Sequence, residues 1–157
     1  MSDATTNYPT ELPVEVASLL IPMKERPLLL PNVAVAEIVP LIEPTLDYST
    51  PDWHIGSIVW RGVKIPLLSV DALNDLEAEE ISDDSHIAVI NGVGDHAELP
   101  FYAFLVTGIP RLIRVIDQEI GREDKETGPA ESMYVQVGGE HAVILDLEYI
   151  EAKILGK

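Results

Sequence analysis

Residues 56–73, GSIVWRGVKIPLLSVDAL, decide the fold of this chain. Two segments rich in β-branched and apolar residues flank the pair Arg61-Gly62, and the pair predicts a turn between two strands. The stretch has no nucleophile beside a base and no set of metal-ligand residues. It therefore favours a surface that contacts other proteins over a centre that transforms a substrate.

The rest of the chain repeats this pattern of short apolar runs separated by turn residues. In residues 133–147, MYVQVGGEHAVILDL, the central Gly-Gly pair supplies the positive φ that a tight hairpin turn needs. Helical spacing occurs at the C-terminal end, where Leu147, Ile150 and Ile154 share one face behind the potential cap Asp146. These patterns predict a mainly β fold, a barrel or a sandwich, with short helical segments and a C-terminal helix.

Length and composition indicate one domain that needs neither disulfides nor a structural metal for stability. A chain of 157 residues can bury a stable core, and the absence of cysteine excludes a disulfide scaffold and thiolate zinc sites. Residues 1–13 mix Ser, Thr, Asn and Pro without periodicity and are predicted to form a mobile N-terminal tail. Residues 14–157 are predicted to form one domain, or two small subdomains that share a core.

The charge balance excludes several classes of partner. The chain has 10 Lys and Arg residues against 27 Asp and Glu residues, a formal net charge of −17. Such a surface repels phosphates, so nucleic acid and anionic lipid are not expected partners. The charge either keeps an apolar-rich protein soluble, which we favour, or forms an acidic docking patch. No secretory signal or membrane-spanning run is recognisable, which predicts a cytoplasmic protein without direct membrane insertion.

Three histidines offer the main catalytic alternative. His54, His86 and His96 each stand near a carboxylate in the sequence, as in a small metal-dependent hydrolase. All three lie beside turn residues, where Asp and His are common. We therefore favour the interpretation that they are ordinary polar residues of solvent-exposed loops. A ligand-binding β-barrel is a further alternative, which a deep closed cavity would support. Neither a cofactor nor a metal is predicted.

Three residues in or beside the apolar segments are candidates for a functional role. Trp60 and Arg61 are residue types enriched among binding hot spots, and they stand at a predicted turn. Alternatively, Trp60 belongs to the core and Arg61 pairs with one of the many carboxylates. Glu37 interrupts an apolar run, so its carboxylate lies either on a solvated face or against a specific partner.

These residues together resemble the CheW family of chemotaxis coupling proteins. Val35, Glu37 and Ile38 match one family motif, and residues 141–150, HAVILDLEYI, resemble the last strand of the family. The longer motif is matched by Gly56, Ile58, Trp60, Arg61, Gly62, Ile65, Pro66, Leu67, Leu68 and Val70. The resemblance covers about residues 14–155.

The sequence also departs from the family pattern. Val59 stands where the family usually has Asn, and Trp60 stands where it usually has Leu. The run LVTGIPRLIRV, residues 105–115, stands where the family often has a Val-Asp-x-Val run. With these departures the chain is more similar to ChpC-type members, which are associated with type IV pilus and twitching-motility signalling.

The resemblance implies a non-catalytic scaffold of two small β-barrels packed on one another. It implies two partners: the regulatory domain of a CheA-type histidine kinase, bound at barrel ends, and the helical cytoplasmic tip of a methyl-accepting chemoreceptor, bound in a groove between the barrels. The protein-binding residues that it implies are Val35, Glu37, Ile38, Gly56, Trp60, Arg61 and Gly62. An alternative is that Arg61 and Glu37 pair with each other and hold the shape of the groove.

Overall fold

The computed structural model describes residues 15–24, 26–94, 98–116, 121–123, 126–137 and 139–156. The predicted mobile tail, residues 1–13, lies outside these ranges, as do His96 and Gly138.

Short strands dominate the described residues. They are β1 (Glu15–Ile21), β2 (Leu28–Pro31), β3 (Val35–Pro40), β4 (Thr45–Leu46), β5 (His54–Trp60), β6 (Val63–Leu68), β7 (His86–Asn91), β8 (Phe101–Val106), β9 (Arg111–Ile116), β10 (Gly121–Glu123), β11 (Glu131–Val137) and β12 (Glu140–Leu145). A 3-10 turn covers Asn32–Ala34, and the α-helices are α1 (Val70–Leu73) and α2 (Leu147–Ile154). The predicted mainly β fold with a C-terminal helix is confirmed.

The strands form two six-stranded sheets. The first has the order β10-β11-β12-β2-β1-β9, and the second has the order β3-β7-β8-β6-β5-β4. Most neighbours are antiparallel, but β12 runs parallel to β2, and β6 runs parallel to β8. The second sheet is therefore built from the middle of the chain, and the first sheet is built from the segments on either side.

Among the described residues, apolar side chains form three clusters, one between the sheets and one inside each sheet. Strand β8 shows how the sequence divides between them, since successive side chains of a strand point to opposite faces. Tyr102 and Phe104 belong to the central cluster between the sheets, whereas Ala103 and Leu105 belong to the cluster inside the second sheet. Strand β8 is therefore buried on both faces.

Helix α2 closes one side of the central cluster. Asp146 caps it by accepting a hydrogen bond from the Tyr149 N–H at 3.0 Å. Ile150 is buried in the central cluster, and Leu147 and Ile154 pack against it. The predicted cap and apolar stripe of this helix are therefore confirmed.

Candidate functional site

The hairpin turn between β5 and β6 has an unusual backbone. Arg61 has a φ of 49° and Gly62 a φ of 77°, so both residues lie in the left-handed region, as a two-residue turn of the primed type requires. Glycine adopts this conformation freely, whereas a residue with a side chain is disfavoured there by about 1–2 kcal/mol. Backbone strain of this kind concentrates at functional sites, which makes Arg61 a candidate for a functional role.

Glu37 connects this turn to strand β3. The Trp60 Nε1–H donates a hydrogen bond to Glu37 Oε1 at 2.9 Å, and Arg61 Nη2 lies 3.1 Å from the same oxygen. The guanidinium of Arg61 also lies 5.0 Å from the centre of the Trp60 ring, within range of a cation–π contact. Strands β7, β8 and β6 separate β3 from β5 in the sheet order, so the second sheet curls to bring these side chains together.

The three side chains differ in how far they are exposed. Trp60 is only 7% exposed and packs edge-on against Phe101, with ring centres 5.0 Å apart. The Arg61 side chain is 69% exposed, and Glu37 is partly exposed beside it. Trp60 is therefore a buried support for the site, whereas Arg61 and Glu37 are within reach of a partner.

Two exposed valines complete this surface. Val59 and Val63 flank the turn on either side and pair with Lys64 and Trp60 across the hairpin. The alternation of β5, with Ile58 and Trp60 buried, directs Val59 outward. That alternation was the available sequence signal, but our sequence analysis did not select either valine. We call Glu37, Val59, Arg61, Gly62 and Val63 the turn surface.

The remaining predicted site residues lie elsewhere. A Cβ on Gly56 would lie 2.0 Å from the Thr45 carbonyl oxygen, so glycine is required there for the close approach of β4. Val35 and Ile38 are half-buried and pack against the central cluster. The register of β3 with β7 shifts between Val35 and Glu37, an irregularity of the kind that can redirect a side chain. The structure thus brings Glu37, Trp60, Arg61 and Gly62 together.

A buried carboxylate holds the loop that follows β7. Glu151 of α2 is almost fully buried and accepts hydrogen bonds from the Val93 N–H at 2.7 Å, the Gly94 N–H at 2.9 Å and the Tyr102 hydroxyl at 2.8 Å. Burial, and then the hydrogen bond to Glu151, raise the pKa of Tyr102 far above its usual range. Our sequence analysis missed Glu151, because the residues that it binds are distant in the chain. The arrangement fastens the loop to α2.

The histidines of the hydrolase alternative have ordinary local partners. His54 Nδ1 lies 3.2 Å from the Thr50 hydroxyl oxygen, and His86 Nδ1 lies 3.0 Å from the backbone oxygen of Asp84. In the part of the chain that the structure describes, no three side chains of His, Cys, Asp or Glu are grouped to hold a metal ion. His96 lies outside that part.

Known proteins show the same fold. The scaffolding protein TtCheW from Thermoanaerobacter tengcongensis superposes with a TM-score of 0.70 at 18% sequence identity, over 85% of this chain and 89% of that chain. No curated protein sequence matches the chain. Among the described residues, no helix is both long and apolar enough to cross a membrane.

The sequence match is to a family of protein-interaction domains. The model of the CheW-like domain matches residues 18–153, which is most of the chain, and the chain belongs to this family. Proteins of the family are non-catalytic scaffolds, so this protein is not an enzyme but a scaffold or adaptor of chemotaxis-type signalling.

Proposed function

We propose that this protein couples a chemoreceptor to a CheA-type histidine kinase in the cytoplasm. In this proposal residues 14–157 act as one domain, which binds the regulatory domain of the kinase and the helical tip of the receptor. The pathway is chemotaxis or pilus-mediated surface motility. Family membership supports the scaffold role, and the exposed Arg61–Glu37 pair, held on the buried Trp60, is the observation that carries the proposal.

The turn surface has the chemistry of a protein contact. Arg61 presents a planar set of donors that suits carboxylates and carbonyl oxygens, and most of its side chain faces solvent. Val59 and Val63 add exposed apolar area on both sides of this charge. Arginine is one of the residue types enriched among binding hot spots, and the ion pair with Glu37 orients the guanidinium in advance.

Arg61→Ala tests this role. Calorimetry with a receptor tip and a kinase regulatory domain from the same genome should show binding to the wild-type chain. The variant should bind about 10- to 150-fold more weakly, since a hydrogen-bonded charge contributes about 1.5–3 kcal/mol. Its melting temperature should stay close to that of the wild type, because the pair with Glu37 is exposed.

Arg114→Ala is the matched control. Arg114 is as exposed as Arg61 and also pairs with a glutamate, Glu15, but it lies on β9 of the first sheet. Its loss should leave binding unchanged. Unchanged binding by Arg61→Ala would exclude Arg61 from the contact, and a drop of several degrees in its melting temperature would make Arg61 structural. The absence of binding to any receptor tip or kinase domain would contradict the coupling role itself.

A further inference from the structure

The end of β7 and the loop after it contain a chemically labile pair, Asn91-Gly92. The side-chain amide carbon of an asparagine can be attacked by the backbone nitrogen of the next residue, and a glycine in that position leaves the nitrogen unhindered. Asn91 is the only asparagine of the sequence that precedes a glycine, since the others precede Tyr8, Val33 and Asp75. The proposed coupling function makes no use of this pair.

Both residues of the pair have a structural role. A Cβ on Gly92 would lie 2.4 Å from the Leu99 carbonyl oxygen, so only glycine fits at that position. The Asn91 side chain donates a hydrogen bond from Nδ2 to the Val33 carbonyl oxygen at 3.1 Å, which ties the end of β7 to the 3-10 turn before β3. The fold therefore requires each residue for its own reason, and together they form the labile bond.

The same segment holds the reacting atoms in an unproductive arrangement. Asn91 is the last residue of β7 and pairs with Phe101 of β8, so its backbone is extended and its side chain points away from the chain. The Gly92 N–H donates a hydrogen bond to the Pro100 carbonyl oxygen at 2.9 Å. For the attack, this nitrogen must leave the Pro100 oxygen and the backbone at residue 91 must rotate. The reaction therefore waits for the segment to open.

Glu151 of α2 restrains that opening. It is 1% exposed and accepts hydrogen bonds from the N–H groups of Val93 and Gly94, the two residues directly after Gly92, at 2.7 and 2.9 Å. The Tyr102 hydroxyl donates to the same carboxylate at 2.8 Å. We call these three bonds the Glu151 clasp. Hydrogen bonds to an ionised group are among the stronger ones in proteins, so the segment opens only when the clasp breaks.

We propose that Asn91 is a deamidation site and that the Glu151 clasp sets the rate of the reaction. The Gly92 nitrogen bonds to the Asn91 side-chain carbon, and the side-chain nitrogen leaves as ammonia with the proton of the Gly92 N–H. Water then opens the resulting succinimide ring to aspartate or isoaspartate at position 91, and no other reactant is needed. Both products lack the amide donor that binds the Val33 carbonyl, so the reaction loosens the turn before β3.

Peptide mapping of the full chain by mass spectrometry, during incubation at mildly alkaline pH, tests the proposal. In the chain unfolded in urea, Asn91 should deamidate faster than Asn32 and Asn74, which precede residues with side chains. In the folded chain the rate at Asn91 should be lower by about tenfold or more, because the segment must open first. Glu151→Gln removes the charge of the clasp and should raise the folded rate about tenfold, the effect expected for one charged hydrogen bond.

Two further variants separate local opening from a general loss of stability. Val135→Ala truncates a fully buried side chain in the cluster inside the first sheet, so it destabilises the protein without altering the clasp. At urea concentrations that give both variants the same free energy of unfolding, Glu151→Gln should deamidate faster than Val135→Ala. Tyr102→Phe removes only the hydroxyl bond of the clasp and should accelerate the reaction less than Glu151→Gln does.

Three results would overturn the proposal. No preference for Asn91 in the unfolded chain would exclude it as the deamidation site. Equal rates in the folded and unfolded wild-type chain would show that the fold does not protect the pair. Equal rates for Glu151→Gln and Val135→Ala at matched stability would remove the control by the clasp.

Discussion

The buried carboxyl of Glu79 predicts that the protein loses stability as the pH rises from about 4.5 to about 7. Burial and the charge of Asp71 raise the pKa of Glu79 from its ordinary value of 4.5 to about 7 in the folded chain. Between these values the folded state binds more protons than the unfolded state, so the free energy of unfolding falls with pH. Below about 4.5 both states are protonated and there is no penalty, whereas above about 7 the penalty is complete.

The size of this penalty follows from the two pKa values. The gap between 4.5 and about 7 corresponds to about 3 kcal/mol, since each pKa unit is 1.36 kcal/mol. Glu79→Gln keeps the shape of the side chain and an oxygen for the Ser69 hydroxyl, but it cannot ionise. The variant should therefore be up to about 3 kcal/mol more stable than the wild type at pH 8, and nearly equal to it at pH 4.

Urea unfolding followed by tryptophan fluorescence between pH 4 and pH 8 measures this difference. The chain carries a net charge of −17, so any lost carboxylate also relieves general repulsion. Glu80→Gln is the control for that effect, because Glu80 is exposed and adjacent. The stability of Glu79→Gln relative to Glu80→Gln should grow with pH and level off above about 7. Parallel curves for the two variants over the whole range would refute the reasoning.

Three further substitutions test the site and the core. Trp60→Phe keeps the aromatic packing but removes the N–H that binds Glu37, so urea unfolding should show a loss of about 1 kcal/mol; unchanged stability would mean that the bond is not formed in solution. Leu145→Ala opens a cavity in the central cluster and should cost about 2–5 kcal/mol by the same assay, whereas a smaller loss would indicate loose packing. Gly56→Ala places a methyl group against the Thr45 carbonyl and should lower the melting temperature by several degrees, and a wild-type value would contradict the close approach of β4.

Local features of the fold could be predicted from the sequence because short-range rules determine them. The β5–β6 hairpin follows from two β-forming runs around Arg61-Gly62, and the cap of α2 follows from Asp146. Strand β10 was missed because its three residues lie in a charged segment that has no apolar alternation. The order of the strands was also not predictable, since the parallel pairing of Val143 with Leu28 joins residues far apart in the chain.

The candidate site, like the fold, could be predicted from the sequence only in part. The turn at Arg61 was predicted from its neighbours in sequence, but the bond between Trp60 and Glu37 depends on the curl of a sheet across three intervening strands. Gly56 was selected for its place in a motif, and the structure adds a local reason for glycine there, the nearness of the Thr45 carbonyl oxygen. The sequence identifies residues that are unusual for their position. Only the tertiary arrangement shows whether such a residue supports the site from the core or can contact a partner protein.

The first sheet is built from two segments that are far apart in the chain, so its strands are synthesised at different times. Its β1–β2 hairpin leaves the ribosome early. Strand β12, which pairs with β2, ends only at Leu145. At about 5–20 residues per second, the hairpin waits on the order of ten seconds for that partner, with apolar side chains such as Leu20 and Leu29 uncovered. The second sheet is contiguous from Val35 to Val106 and can assemble during this delay. We expect nascent chains arrested before residue 111 to be bound by chaperones through the waiting hairpin.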